Sequence, residues 1–287
     1  MRSAALALAL FAAPAIVQAQ EPPASSPAGG TPPAMAMPPA AGLATSAPAP
    51  DRAPATLPNV AAREGWPQPT ADSANYGYFL ADLLEYRESG DPGVVRWDVF
   101  GWYGGDVKRL WIKSEGAQST SDRVESEQEA QLLYGQLIAP FFDFQAGVRY
   151  ARRSGPGPDR SRVYGVVGLQ GLAPYRFELE PALFLSEDGK VSGRVTATYD
   201  VLLTQRLILQ PRLEANAALQ ADRRFGLGDG LNDTEIGARL RYELRRELAP
   251  YVGVSWRQAY GETKRLARAE GQATRNLSVV FGLRAWF

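Results

Sequence analysis

The stretch Thr274–Phe287 fixes what this chain can become. From Leu277 the odd positions carry Leu277, Val279, Phe281, Leu283, Ala285 and Phe287, while the even positions carry Asn276, Ser278, Val280, Gly282, Arg284 and Trp286. A period of two over this length describes a strand with one greasy face and one wet face. The pattern recurs in Gln205–Leu219, where Leu207, Leu209, Pro211 and Leu213 oppose Arg206, Gln210, Arg212 and Glu214. It recurs again in Lys190–Val201, Thr234–Arg245 and Phe142–Tyr150. Such runs exceed the ~5–6 residues of most globular strands and reach the ~9–11 or more of membrane-spanning strands.

Counting all such runs predicts about 12 strands, near 76–86, 95–104, 109–116, 123–138, 141–152, 163–173, 175–186, 190–202, 205–219, 234–246, 248–260 and 274–287. Counted back from the C-terminus, every second connection is tight, and the others are mostly longer and polar, with Glu187-Asp188-Gly189 the short exception. Alternating tight turns and longer loops build an antiparallel up-and-down barrel, with the tight turns on the periplasmic side. With an even number of strands both ends of the barrel fall on the tight-turn side. The fold class expected is therefore all-β, a transmembrane antiparallel up-and-down β-barrel after a disordered Pro/Ala-rich N-terminal segment. Three Ala-Pro-aromatic repeats, ending in Phe141, Tyr175 and Tyr251, are each expected at a short turn, where the aromatic would join an interfacial girdle.

The N-terminal part reads differently. Residues 1–19 carry Arg2, an apolar run and Val17-Gln18-Ala19, the layout of a secretory signal peptide. Residues 20–70 hold thirteen of the 22 prolines among Ala, Ser and Gly, a composition that does not bury enough surface to order itself. That segment is expected to be a disordered linker on the periplasmic side, followed by the barrel over residues 71–287. No later segment approaches the ~20 apolar residues of a spanning helix. A membrane-embedded mature chain must therefore be a barrel.

Composition excludes several functions. Lys plus Arg and Asp plus Glu are both 31, which argues against nucleic acid, whose binders concentrate basic charge. The chain has no cysteine and no histidine. Thiolate sites, imidazole ligands and the Ser-His-Asp triad are therefore out of reach, and no enzymatic activity is expected. Two of the three methionines, Met35 and Met37, sit in Ala34-Met35-Ala36-Met37. Their thioethers suit soft Cu(I), which makes them the candidate metal ligands, although two methionines in an Ala/Pro tract also occur without function.

In a barrel the wet faces point inward. Asp98, Glu115, Arg149, Asp200, Arg212, Glu214, Arg239, Glu243 and Arg284 are the candidate lumen-lining residues. The same alternation sends Glu178, Glu180, Arg194, Arg206, Glu235, Arg241 and Arg257 inward. Interleaved Arg and Glu are expected to pair across strands, so most of these charges are structural.

Several segments resemble the copper-resistance protein B family. They are Trp102-Tyr103-Gly104-Gly105-Asp106, Leu110-Trp111-Ile112-Lys113-Ser114-Glu115-Gly116 and Gln145-Ala146-Gly147-Val148-Arg149-Tyr150. Gly168–Tyr175, Leu203–Arg212 and Arg245–Gly253 belong to the same set. The resemblance spans roughly Gly65 to Phe287. It implies a Gram-negative outer-membrane barrel of copper homeostasis that binds copper or moves copper ions across the outer membrane. Its partners would be outer-membrane lipid and periplasmic copper-handling proteins. Members often carry a Met- and His-rich stretch before the barrel; here it has shrunk to Met35 and Met37, so copper binding is expected to be weak or transient. Carboxylates such as Asp98, Glu115 and Glu243 would bind Cu(II) only weakly. The alternative left open by the residues is a general small-solute porin, or a structural outer-membrane barrel, without metal preference.

Overall fold

The computed structural model describes residues 74–89, 92–121, 126–155 and 158–287. The expectations for residues 1–70, including Met35 and Met37, lie outside the described residues. The described chain is a closed antiparallel sheet. Its strands are β1 (Tyr76–Glu88), β2 (Val94–Gly104), β3 (Lys108–Ser119), β4 (Ser126–Ala139), β5 (Phe142–Ser154), β6 (Arg160–Ala173) and β7 (Phe177–Ser186). They continue as β8 (Val191–Thr198), β9 (Val201–Leu202), β10 (Leu207–Ala218), β11 (Gly230–Tyr242), β12 (Leu248–Ala259) and β13 (Arg275–Trp286). One helix, α1 (Gly261–Ala269), lies in the last loop, where the sequence predicted only polar coil.

Each strand pairs with its neighbours in sequence, β10 pairs with β11, and β13 returns to β1 to close the wall. At the seam, the amide of Phe79 donates to Phe287 O at 3.0 Å and the amide of Phe287 to Phe79 O at 2.9 Å. β8 and β9 are two pieces of one stave, since both pair with β10. The break between them faces Pro211, which has no amide hydrogen to offer the ladder. The wall therefore has twelve positions, as the sequence predicted. β1 begins opposite Gly104, beside the tight turn after β2, so both ends of the barrel sit on the tight-turn side.

Closure gives every stave a partner on both sides and leaves the sheet no free edge, the condition for crossing a bilayer with strands. The outer face is apolar: Ile112, Val148, Leu183, Leu213, Ile236 and Phe281 are all exposed and stand on alternating positions of their strands. Strands of up to 14 residues, as in β4 and β6, are long enough to span the hydrocarbon layer when tilted.

The interior is only partly wet. Leu80, Phe100, Trp111, Leu133, Tyr164, Val166 and Phe184 point inward and form a buried cluster, with Tyr78, Trp102 and Trp286 packed against it. Arg149 lays its guanidinium 4.3 Å from the centre of the Phe184 ring, and Arg109 lies 4.7 Å from that of Trp102. These cations join the aromatic half of the lumen to its charged half. A twelve-stave lumen lies between the width that side chains fill and the width that leaves an open channel.

The Ala-Pro-aromatic repeat splits. Phe141 and Tyr175 sit at tight turns with φ of 68° and 66° and are widely exposed, as a girdle requires. Pro250 instead lies inside β12, because the turn before it falls at Arg245–Leu248. One residue further, the period of two sends Tyr251 inward, where it is buried. The girdle expectation is corrected for that copy.

Candidate functional site

The lumen carries two rows of carboxylates. Asp98 on β2 lies directly opposite Glu115 on β3, and Glu115 lies opposite Glu129 on β4. Across the barrel, Glu214 on β10 faces Glu235 on β11. Like charges in directly opposed positions repel, so each row needs cations from elsewhere. Three arginines supply them. Arg96 donates to Glu214 at 2.9 Å and to Glu235 at 2.7 Å. Arg194 reaches Glu115 at 2.9 Å and Glu129 at 3.1 Å. Arg212 donates to Asp98 at 3.0 Å and approaches Glu214 to 3.6 Å. Each arginine bridges carboxylates on different strands, so the two rows and their cations form one lattice across the lumen.

The lattice continues toward the seam. Arg87 binds Glu235 through two nitrogens at 3.0 and 2.7 Å and Glu85 at 2.7 Å. Arg239 grips Glu85 at 2.9 and 3.0 Å, and the hydroxyl of Tyr251 donates to the same carboxylate at 3.1 Å. Arg284 donates to Asp82 at 2.8 Å. Arg149 pairs with Glu129. Buried charges of this kind are held where each has an opposite charge within reach, even though single nitrogens of Arg149, Arg212 and Arg239 have no hydrogen-bond partner.

Above the lattice, toward the long loops, lies a cavity of about 150 Å³ lined by Glu115, Glu129, Arg149, Arg194, Glu214 and Glu235, and by Phe225 and Leu227 of the loop after β10. Below it a second space of about 10 Å³ is bounded by Asp82, Asp98, Glu178, Glu180 and Arg212. It is the size of one water molecule and polar enough to hold one.

Of the predicted lumen residues, Asp98, Glu115, Arg149, Arg212, Glu214, Arg239 and Arg284 stand in this lattice. Asp200 sits at the break between β8 and β9, with its side chain 42% exposed and bound by Arg241 at 2.8 Å. Glu243 lies just past the end of β11 in a tight turn, half-buried, with its amide donating to Arg206 O at 2.8 Å. Arg206 is exposed in that turn region. Periodicity missed Asp82, Glu85, Arg87, Arg96 and Glu129. For the β1 residues the reason is a bulge: the pairings of β1 shift between Ala81 and Leu84, so Asp82 and Glu85, of opposite parity, both face inward. The charge-rich triplet Glu85-Tyr86-Arg87 was the available signal.

Among the described residues, no group of three or more His, Cys, Asp or Glu side chains is arranged to hold a metal ion. The arginines stand between the carboxylates instead. Carboxylate oxygens are nonetheless the ligand type the lumen offers a hard cation, with Cu(II) a weaker match than for imidazole.

Residues 75–287 match the family model described as copper resistance protein B precursor (CopB). A copper resistance protein B of Escherichia coli is 47% identical over 216 residues, covering 75% of this chain and 71% of the relative. A copper resistance protein B homolog of Pseudomonas syringae pv. tomato is 40% identical over the same length and coverage. Among solved structures, a NanC porin covers 73% of this chain and 99% of its own at 12% identity and a TM-score of 0.47, and a KdgM porin 75% and 99% at 12% and 0.41. The family model and both bacterial relatives agree, and the chain belongs to the copper resistance protein B family.

Proposed function

We propose that this outer-membrane barrel serves copper resistance by taking up copper ions weakly in its lumen and passing them along carboxylates that arginines otherwise occupy. The observation that carries this reading is the pair of carboxylate rows, Asp98–Glu115–Glu129 and Glu214–Glu235, neutralised only by bridging arginines. A divalent cation competes for such oxygens by displacing guanidinium groups, so occupancy is transient and no fixed cage is needed. On the periplasmic side, Met35 and Met37 would offer thioethers to Cu(I), and periplasmic copper-handling proteins would be the natural exchange partners. The protein acts as a conduit or buffer, not a catalyst.

The test compares growth and cell-associated copper, under copper stress, in a deletion strain carrying the native chain, Glu115→Gln/Glu129→Gln, or an empty vector. The native chain should restore resistance and the double variant should restore less. Equal growth of all three strains would sink the reading. Full rescue by the double variant would leave a barrel without metal preference in its lumen, the porin or structural alternative.

A further inference from the structure

The loop between β10 and β11 does not stand away from the barrel; it folds over the mouth. Asp222 and Leu227 close it into a lobe, the amide of Asp222 donating to Leu227 O at 2.7 Å and that of Leu227 to Asp222 O at 3.0 Å. Gly226 makes the lobe's turn with φ 65°. Such loops normally put their side chains in water, but Phe225 here is only 3% exposed. With Leu227 it forms part of the boundary of the 150 Å³ cavity.

The lobe is tied at two places. On β5 and β6, Arg153 donates to the carbonyl of Phe225, and Arg160 donates to that of Arg224 at 2.8 Å. Arg162 pairs with Asp222 and stacks its guanidinium 4.3 Å from the centre of the Phe225 ring. β6 and β10 are separated in the wall by β7 and β8, and the turn between those two joins the latch: Lys190 lies 3.0 Å from Asp222, and Asp188 2.6 Å from Arg162. On the other flank, the amide of Gly228 donates to Thr263 Oγ1 of α1 at 2.8 Å.

All the ties to β5 and β6 come from arginine side chains, while the backbone–backbone bonds of the lobe are internal. It can therefore swing as a unit without opening the sheet. Gly226, at φ 65°, turns the lobe at its tip, and Gly230, at φ 78°, follows the point where Thr263 and Asn232 hold Gly228, so the chain beside the anchor is permissive. We propose that the lobe Asp222–Leu227 is a lid over the loop-side cavity, latched by Arg153, Arg160, Arg162 and Lys190, and that its release admits solute to the lumen. The lid is indifferent to which solute follows, so it stands apart from the copper reading.

The chain has no cysteine, so a single introduced thiol reports access. Ser192 lines the cavity, and Ser192→Cys in the purified full-length protein in detergent would be modified by the cationic reagent (2-trimethylammonioethyl) methanethiosulfonate. Two substitutions release the lid by different routes. Phe225→Ala removes the ring under Arg162. Gly228→Val drives a β-carbon into α1, since a Cβ there would lie 2.5 Å from that of Glu262. Neither touches the lumen lattice, and heat-modifiable gel mobility shows that the barrel has formed. Each is expected to speed modification of Ser192→Cys by about tenfold or more, because access scales with the open fraction. An exposed control thiol, Thr204→Cys in a tight turn, should keep its rate. Unchanged rates in both well-folded variants, or a parent Ser192→Cys already as reactive as the control, would overturn the proposal.

Discussion

Glu85 and Arg239 grip each other through two hydrogen bonds of 2.9 and 3.0 Å, yet they belong to strands separated by β12 and β13. Their side chains are 0% and 1% exposed. The pair ties the wall together from inside, across the β1–β13 seam where the barrel closes. Arg239→Ala leaves Glu85 with Arg87 and Tyr251 but without its main partner. It is expected to cost about 3–5 kcal/mol, the usual penalty for uncoupling a buried ion pair. Urea unfolding of the barrel in lipid vesicles checks this.

Tyr251 reaches Glu85 only because residue 282 has no side chain. A Cβ at Gly282 would lie 2.4 Å from Cζ of Tyr251 and 2.7 Å from the carbonyl of Leu84. Gly282→Ala should therefore displace the ring and destabilise the barrel by about 1–3 kcal/mol, the range for overpacking. Its effect and that of Tyr251→Phe should not add, since both act on the hydroxyl at Glu85. A double-mutant cycle of unfolding free energies measures the shortfall.

The outward direction of the apolar faces can be tested at one residue. Val148 on β5 is 53% exposed, flanked by Leu132 and Gly165 on the adjacent strands. Val148→Arg should cost about 2–4 kcal/mol in a bilayer if the site lies near the midplane. Folding yield into vesicles, read by heat-modifiable gel mobility, checks it.

Arg194 bridges Glu115 and Glu129 and lies 3.9 Å from Glu214. Arg194→Ala should leave Glu115 without its cation, while Glu129 keeps Arg149 and Glu214 keeps Arg96, so the upper cavity becomes more negative by one charge, a step toward the acidic rings of cation-selective pores. Divalent cation binding by the purified barrel should rise, and binding of anions should not. Isothermal titration with Cu(II) and with sulfate, native against variant, distinguishes the two.

Met35 and Met37 can be tested apart from the barrel. Met35→Leu with Met37→Leu should lower Cu(I) binding by the full-length protein and leave the unfolding of the barrel unchanged. Competition with a chromogenic Cu(I) chelator reads the first, and unfolding in vesicles the second.

How much of this was visible in the sequence follows from what periodicity can and cannot see. Leu277, Val279 and Phe281 announce an outward face because lipid favours apolar side chains there, and most strands follow the same rule, with Gln128 and Gln136 of β4 as exposed exceptions. The strand number and the side on which the barrel ends fall follow from that regularity plus the tight turns. Inside, the constraint is looser, since Trp111 and Leu133 are as acceptable as Arg194. Alternation alone therefore did not reveal the aromatic half of the lumen. A bulge moves parity, and so Asp82 and Glu85 escaped. The lid escaped for a different reason: Arg162 and Phe225 lie 63 positions apart in the chain, and only the closed wall brings them together.

The prolines in the strands carry a mechanical consequence. Pro181 interrupts the β6–β7 ladder, whose pairings jump from Gly168–Ala182 to Gly171–Leu179, and Pro211 interrupts the ladder between β10 and the β8–β9 stave. The panel made of β7 and β8 therefore misses rungs along both of its margins, while its internal pairing runs unbroken from Glu178 to Leu185. Under lateral pressure from the lipid, this panel would yield as a unit. The barrel is thus a cylinder with a built-in compliant sector, set four staves (β10 to β13) from the seam that Glu85 and Arg239 hold shut and bordered on its other side by β6, which carries part of the lid's anchorage.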